Sequence, residues 1–149
     1  MVNVLMVCLG NICRSPLAQG ILESKVNPDD VYVDSAGTAA YHVGNLPDKR
    51  SIAVARKYGL DITHQRARKF TTKDFDAFDY IYAMDSSNYH NILALARNDA
   101  DESKVKMILN ETHPRENKSV PDPYYGGDQG FENVYKMLDE ACDVIVEKL

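Results

Sequence analysis

Apolar and polar positions alternate in blocks along this chain. Val2 to Val7 is a nearly continuous apolar run, the pattern of a strand buried on both faces. Gly10 and Asn11 interrupt it. Ser15-Pro16 then predicts a helix start with Pro16 at the first helical position, and Leu17, Ala18, Ile21 and Leu22 continue that helix at three- and four-residue steps. Val31 to Ser35 predicts a second strand, and Asp48 to Tyr58 a second helix stopped by Gly59. Tyr80 to Met84 predicts a third strand, with Asp85 placed to cap the helix after it, and Lys104 to Ile108 a fourth. Pro121 to Gly127 is an irregular, Pro- and Gly-rich loop. The last segment carries the clearest helical stripe: Phe131, Val134, Tyr135, Leu138, Ala141, Cys142, Ile145, Val146 and Leu149.

The order strand, helix, strand, helix, strand, helix, strand, loop, helix predicts an α/β fold: a four-stranded parallel sheet with helices on both faces. With 149 residues, the chain is expected to form one domain, residues 1–149. Right-handed crossovers would bring the helices to both faces, and ligands in such sheets bind beyond the carboxyl ends of the strands. The first strand ends at Cys8.

Composition narrows the function classes. The formal net charge of −5 argues against nucleic acid or an anionic membrane as the main partner, although Lys49, Arg50, Arg56, Lys57, Arg66, Arg68 and Lys69 concentrate in the middle third. No signal peptide and no apolar run near the ~20 residues of a membrane span is apparent. Three cysteines, an odd number in a chain long enough to build a core, predict a reduced, cytoplasmic protein. His42, His64, His90 and His113 are scattered, so no metal site is expected.

The chemistry concentrates in Cys8-Leu9-Gly10-Asn11-Ile12-Cys13-Arg14-Ser15-Pro16. A loop entering a helix N-terminus presents unpaired backbone N–H groups and the positive end of the helix dipole, which together attract an anion. Gly10 and Asn11 tolerate left-handed backbone angles, so successive amides can turn inward. Arg14 offers a planar fork matched to phosphate oxygens. A cysteine at the centre of that field is expected as its nucleophilic thiolate, with Ser15 placed to donate to the sulfur. The spacing alone is weak. Its place between a buried strand and a helix start separates it from a small core cysteine, and the Gly-Lys-Ser/Thr of a nucleotide loop is absent.

The run from Cys8 to Ser15 resembles the Cys-x-Gly-Asn-x-Cys-Arg-Ser signature of the low-molecular-weight protein tyrosine phosphatases, and the likeness extends over essentially the whole chain. It implies a phosphate-binding loop of Leu9, Gly10, Asn11, Ile12, Cys13 and Ser15 after the first strand, with Cys8 as nucleophile and Arg14 as phosphate clamp. A reaction at phosphorus also needs a carboxyl group, first to protonate the leaving phenolate and then to activate water. Asp122, restricted between Pro121 and Pro123, fits that need, although Pro, Asp and Gly equally make a surface turn. Asp122-Pro123-Tyr124-Tyr125 resembles the family's general-acid loop, with Tyr124 and Tyr125 at the mouth of the site, and the following Gly-Gly-Asp-Gln-Gly-Phe-Glu looks more like bacterial members.

The resemblance further implies that Tyr41 forms one wall of an aromatic slot, where a half-buried loop tyrosine is the alternative. It implies that Asn11, Ser35 and His64 form a hydrogen-bonded set supporting the loop, and that Cys13 can pair reversibly with an oxidised Cys8. Cys142 reads as inert core. The expected activity is hydrolysis of phosphotyrosine and small aryl phosphates through a phosphocysteine, on a phosphotyrosine-bearing protein substrate. No cofactor or metal is expected, and phosphate, sulfate and vanadate are the expected competing anions. Three other activities fit the same scaffold less well. Arginine-phosphate hydrolysis on this scaffold goes with Thr where Ile12 stands. Arsenate reduction needs two further cysteines, absent from Tyr80 to Arg97. A silent phosphate-binding module would lack Cys8, Arg14 or Asp122.

Overall fold

The computed structural model describes residues 1–124 and 127–149. Its elements run β1 (Val2–Cys8), α1 (Arg14–Lys25), β2 (Val31–Gly37), α2 (Lys49–Lys57), α3 (Lys73–Ala77), β3 (Tyr80–Ala83), α4 (Ser86–Leu93), α5 (Asp99–Lys104), β4 (Val105–Met107), a 3-10 turn (Ile108–Asn110) and α6 (Gly127–Lys148). The four strands form one sheet in the order β2-β1-β3-β4, and every pairing is parallel. This is the expected α/β architecture.

Alternation of side chains along the strands splits the apolar core into two layers. Val4, Met6 and Cys8 of β1 face a cluster with Leu17 and Ile21 of α1, Val54 of α2 and Phe131, Leu138 and Ile145 of α6. Leu5 and Val7 face the other side, with Phe75 of α3 and Ile92 of α4. Residues 4–7 of β1 are fully buried, which accounts for the unbroken apolar run at the start of the chain.

The helices and the loop backbone depart from the sequence-based expectations in three places. The helices α3 and α5, of five and six residues, are too short to show an apolar period. The first helix begins at Arg14, with Cys13 at the N-cap position and no side-chain cap, so Pro16 is the third helical residue and not the first. The first turn has no use for that residue's missing N–H, so the proline is tolerated there. The left-handed turn in the loop falls at Asn11 alone, with φ 56°, and not at Gly10.

Parallel pairing brings Cys8 opposite Gly37. The loop after β1 is stitched to the chain after β2: Thr38 N–H donates to the Cys8 carbonyl at 2.9 Å and Ala39 N–H to the Leu9 carbonyl at 3.0 Å. A Cβ on Gly37 would lie 2.6 Å from the Leu9 carbonyl oxygen, so only glycine allows this approach.

Gly20 has a comparable role inside α1, where a Cβ would lie 2.6 Å from Cγ2 of buried Ile62. Helix propensity favours Ala over Gly by about 1 kcal/mol. Overpacking costs about 1–3 kcal/mol and decides the sign. Gly20→Ala should therefore lower stability in urea unfolding. In an Ile62→Ala background, which removes Cγ2, the same substitution should cost nothing.

Candidate active site

Cys8 lies at the carboxyl end of β1, only 3% exposed, and its Sγ is 3.0 Å from Ser15 Oγ in the first turn of α1. The direction of that hydrogen bond follows from its neighbours. Asn11 Nδ2, which can only donate, gives one hydrogen to Ser15 Oγ at 2.8 Å and the other to Ser35 Oγ at 3.0 Å. Ser15 Oγ thus accepts from Asn11, and when Cys8 is a thiolate, which can only accept, the Ser15 proton turns to the sulfur.

Asn11 closes the loop. Its Oδ1 accepts the Arg68 N–H at 3.0 Å, so the side-chain amide ties the loop to α1, to β2 and to the segment after residue 66. Left-handed backbone costs a residue with a Cβ about 1–2 kcal/mol. Three hydrogen bonds, at about 0.5–1.5 kcal/mol each, exceed that cost. The supporting set differs from the one expected. Ser35 Oγ donates onward to Gln19 Oε1 at 2.6 Å, whereas His64 has a 62% exposed side chain and stands 4.0 Å from Glu23. Gln19, buried on α1, takes the place assigned to His64 because its side chain reaches Ser35 and the Val33 carbonyl of β2, whereas the His64 ring stays largely in solvent. Burial pushes the Glu23 carboxyl upward, opposed by His64 and by a hydrogen bond from Gln19.

Arg14 is buried and fixed. Nη1 donates to Asp85 Oδ2 at 2.7 Å and to the Val120 carbonyl at 2.9 Å, and Nη2 stands 3.8 Å from Asp122 Oδ2. Asp85 uses its other oxygen to cap α4, accepting Asn88 N–H at 2.7 Å. The Val120 N–H donates to the Met84 carbonyl at 2.8 Å, so one end of β3 anchors both the guanidinium and the loop carrying Asp122. Asp122 Oδ1 accepts the Tyr124 N–H at 3.0 Å, and its side chain is 46% exposed.

These groups converge on a cleft of about 260 Å3 lined by Cys8, Leu9, Gly10, Ile12, Cys13, Arg14, Tyr41, His42, Asp122 and Tyr124. Tyr41 is the most exposed of them, at 75%. Tyr125 lies outside the described residues. Among the described residues, no three His, Cys, Asp or Glu side chains gather to hold a metal.

The structure adds residues that the sequence did not single out. His42 lines the cleft, and a Cβ on Gly10 would come within 3.0 Å of its Cδ2. Its adjacency to Tyr41 was the available signal. Arg50 places its guanidinium 5.3 Å from the Tyr124 ring centre and 4.6 Å from that of Phe131, so it braces the mouth against α6. Asp48 orients Arg50 through contacts at 3.0 and 3.1 Å, and its own N–H donates to the Ile12 carbonyl at 2.8 Å. Burial raises the Asp48 carboxyl, but the hydrogen bonds from Arg50 outweigh it and hold the group below its ordinary range.

All three cysteines are free thiols. Burial, aided by Asp48, pushes Cys13 from 9.0 up to about 12, and burial pushes Cys142 up to about 12. Both folded values lie above the unfolded one. The stability they carry is intact below about pH 9 and is lost as pH rises toward about 12, because the unfolded chain releases these protons first. With iodoacetamide at about pH 8, peptide mapping should find Cys13 and Cys142 unmodified in the native protein and modified once urea unfolds it. Native alkylation of Cys13 at the unfolded rate would contradict this burial.

Comparison with known proteins follows the same lines. The sequence model described as "Low molecular weight phosphotyrosine protein phosphatase" matches residues 3–149. The low molecular weight phosphotyrosine protein phosphatase of Schizosaccharomyces pombe is 44% identical over 92% of this chain and 90% of its own length. Among solved structures, a protein tyrosine phosphatase from Entamoeba histolytica superposes with a TM-score of 0.92 at 35% identity, covering 99% of this chain and 96% of that one. A Drosophila arginine phosphatase superposes at 0.88 with 33% identity, covering 97% and 96%.

Proposed function

The chain belongs to the low molecular weight phosphotyrosine protein phosphatase family of hydrolases, and from that premise we propose that it hydrolyses phosphotyrosine in proteins, and small aryl phosphates, through a phosphocysteine on Cys8. The observation that carries this reading is the convergence of Cys8, Arg14 and Asp122 on one cleft, with the Ser15 hydroxyl directed at the sulfur.

In the first step the Cys8 thiolate attacks phosphorus in line. The S–P bond forms as the P–O bond to the aryl group breaks, and Asp122 gives its proton to the departing phenolate. Arg14 and the amides of the loop from Leu9 to Ser15 meet the equatorial oxygens, whose charge is stabilised by donors already held in place. In the second step Asp122 takes a proton from water, the water oxygen bonds to phosphorus, and the S–P bond breaks to restore the thiolate. The Ser15 hydroxyl serves both steps, since a donor that stabilises the thiolate as attacker also stabilises it as leaving group.

Tyr41 is the proposed wall for the substrate ring, Tyr124 lines the same cleft, and the apolar side chain of Ile12 in that lining favours an aryl ester over a guanidinium phosphate. Tyr125 is assigned to the mouth by the resemblance alone. Phosphate, sulfate and vanadate would compete for the loop. Cys13 is the proposed partner of an oxidised Cys8. A reducing, cytoplasmic setting suits the three free thiols, and among the described residues no helix is long and apolar enough to cross a membrane.

The test is turnover of p-nitrophenyl phosphate, a phosphotyrosine peptide and a phosphoarginine peptide, each with and without vanadate. Phosphotyrosine and p-nitrophenyl phosphate should be hydrolysed without added metal and vanadate should inhibit. Preferential turnover of phosphoarginine would overturn the substrate assignment. Cys8→Ser should bind vanadate yet lose turnover by at least about 10³-fold, and appreciable activity in it would falsify the nucleophile assignment. Asp122→Ala should slow phenyl phosphate about 10²–10⁴-fold and activated aryl phosphates much less. Equal slowing of both would remove Asp122 from the acid role.

A further inference from the structure

The outer edge of the sheet offers a second recognition surface. Among the described residues, β4 pairs with β3 and with no other strand. A cleft of about 670 Å3 lies over it, a size suited to a bound ligand. All three β4 residues line this cleft. Val105 and Met107 belong to the core layer on one face of the sheet, and Lys106 points to the opposite face. With no strand beyond it among the described residues, the outer edge of β4 borders this cleft. One wall comes from Tyr89 and His90 of α4, and the other from the chain after the 3-10 turn.

That second wall is built firmly. Asn110 and Asn117 exchange two hydrogen bonds, Asn110 Nδ2 donating to Asn117 Oδ1 at 3.0 Å and Asn117 N–H to Asn110 Oδ1 at 2.9 Å. Between them Arg115 takes φ 67°, a left-handed conformation rare for a long side chain. Arg115 is exposed and lines the cleft. Neither Arg115 nor Lys106 makes an ion pair within the described residues, whereas the acid of the cleft, Glu111, is already neutralised by Lys148 at 2.9 Å. In a chain of net charge −5, two uncommitted cations therefore flank an unpaired strand edge.

We propose that this cleft docks an extended, acidic segment of a partner protein. The segment adds as a fifth strand along β4, with its carboxylates on Lys106 and Arg115. Backbone pairing along the strand supplies affinity, and the two cations select carboxylate side chains. A lysine on a short edge strand also deters aggregation. That role does not account for a second cation held on a left-handed backbone across the same cleft. Only the identity of the partner, a protein substrate presenting its phosphotyrosine elsewhere, rests on the phosphatase reading.

The experiment is an NMR titration of the full-length, vanadate-saturated protein with acetyl-Glu-Val-Glu-Val-Glu-amide. Saturable shifts should concentrate at residues 105–107 and 115–117. Lys106→Glu combined with Arg115→Glu should weaken binding about tenfold or more. The same peptide N-methylated at alternate residues should lose binding, because it lacks the donors a strand needs. No saturable shift at these residues up to about 5 mM would overturn the proposal. So would equal binding of the N-methylated peptide, of a lysine-substituted peptide, or by the double variant. Turnover of p-nitrophenyl phosphate should be unchanged in the double variant. Its absence in the wild type would remove the phosphatase reading and leave the titration to decide the docking site by itself.

Discussion

The side-chain amide of Asn11 is the interaction on which the site depends. It sits at the left-handed residue of the loop, and its three hydrogen bonds reach three separate elements: Ser15 in α1, Ser35 in β2, and the backbone of Arg68. Because Nδ2 is only a donor, it sets the polarity of everything beyond it. Ser15 accepts from it and turns its own proton to the Cys8 sulfur once that is a thiolate, while Ser35 turns its proton to Gln19. A backbone shape and a hydrogen-bond direction at the nucleophile are thus settled by one buried group, in an interior where an unmatched donor costs about 1–3 kcal/mol.

The second axis of the site runs through the end of β3. Met84 holds the acid-bearing loop through its carbonyl, and Asp85 holds the Arg14 guanidinium while capping α4. Since β1 and β3 are neighbours in register, the sheet itself sets the spacing between sulfur, guanidinium and carboxylate. No long side chain has to be immobilised at the moment of reaction, which is what preorganisation requires.

What was legible in the sequence was what is local or periodic. The doubly buried β1 run, the α6 stripe and the passage from Cys8 into a helix can all be read from adjacent residues. The five- and six-residue helices α3 and α5 have too few turns to show a period. The pairing of Arg14 with Asp85 spans 71 positions, and only the parallel register brings the two together. The helix cap of Asp85 was visible because it is local, and its grip on Arg14 was not. His64 was assigned to the supporting set by the resemblance alone, with no local pattern behind it, while Gln19, the residue beneath Ser35, has no chemistry that marks it in a sequence. Arg50 was counted among the basic residues of the middle third. Its stacking against Tyr124 and Phe131 depends on where α2 and α6 meet.

The cleft joins two kinds of surface. Its floor consists of Cys8, Arg14 and the buried amide network, embedded in the fold on every side. Its rim includes Tyr41, on a stretch with exposed Val43 and Leu46 that hangs from the rest of the molecule by a few backbone bonds, Gly44 N–H to the Ala67 carbonyl and Ala67 N–H to the Asn45 carbonyl. Further backbone bonds join the two, from Ala39 N–H to the Leu9 carbonyl and from Asp48 N–H to the Ile12 carbonyl, but none of them uses a rim side chain. Substitutions of exposed rim side chains such as Tyr41 or Val43 can change which phosphorylated surface fits while these backbone bonds stay, whereas a change in the floor acts through both folding and chemistry. A scaffold divided this way permits one reaction to be inherited intact by many enzymes of differing appetite.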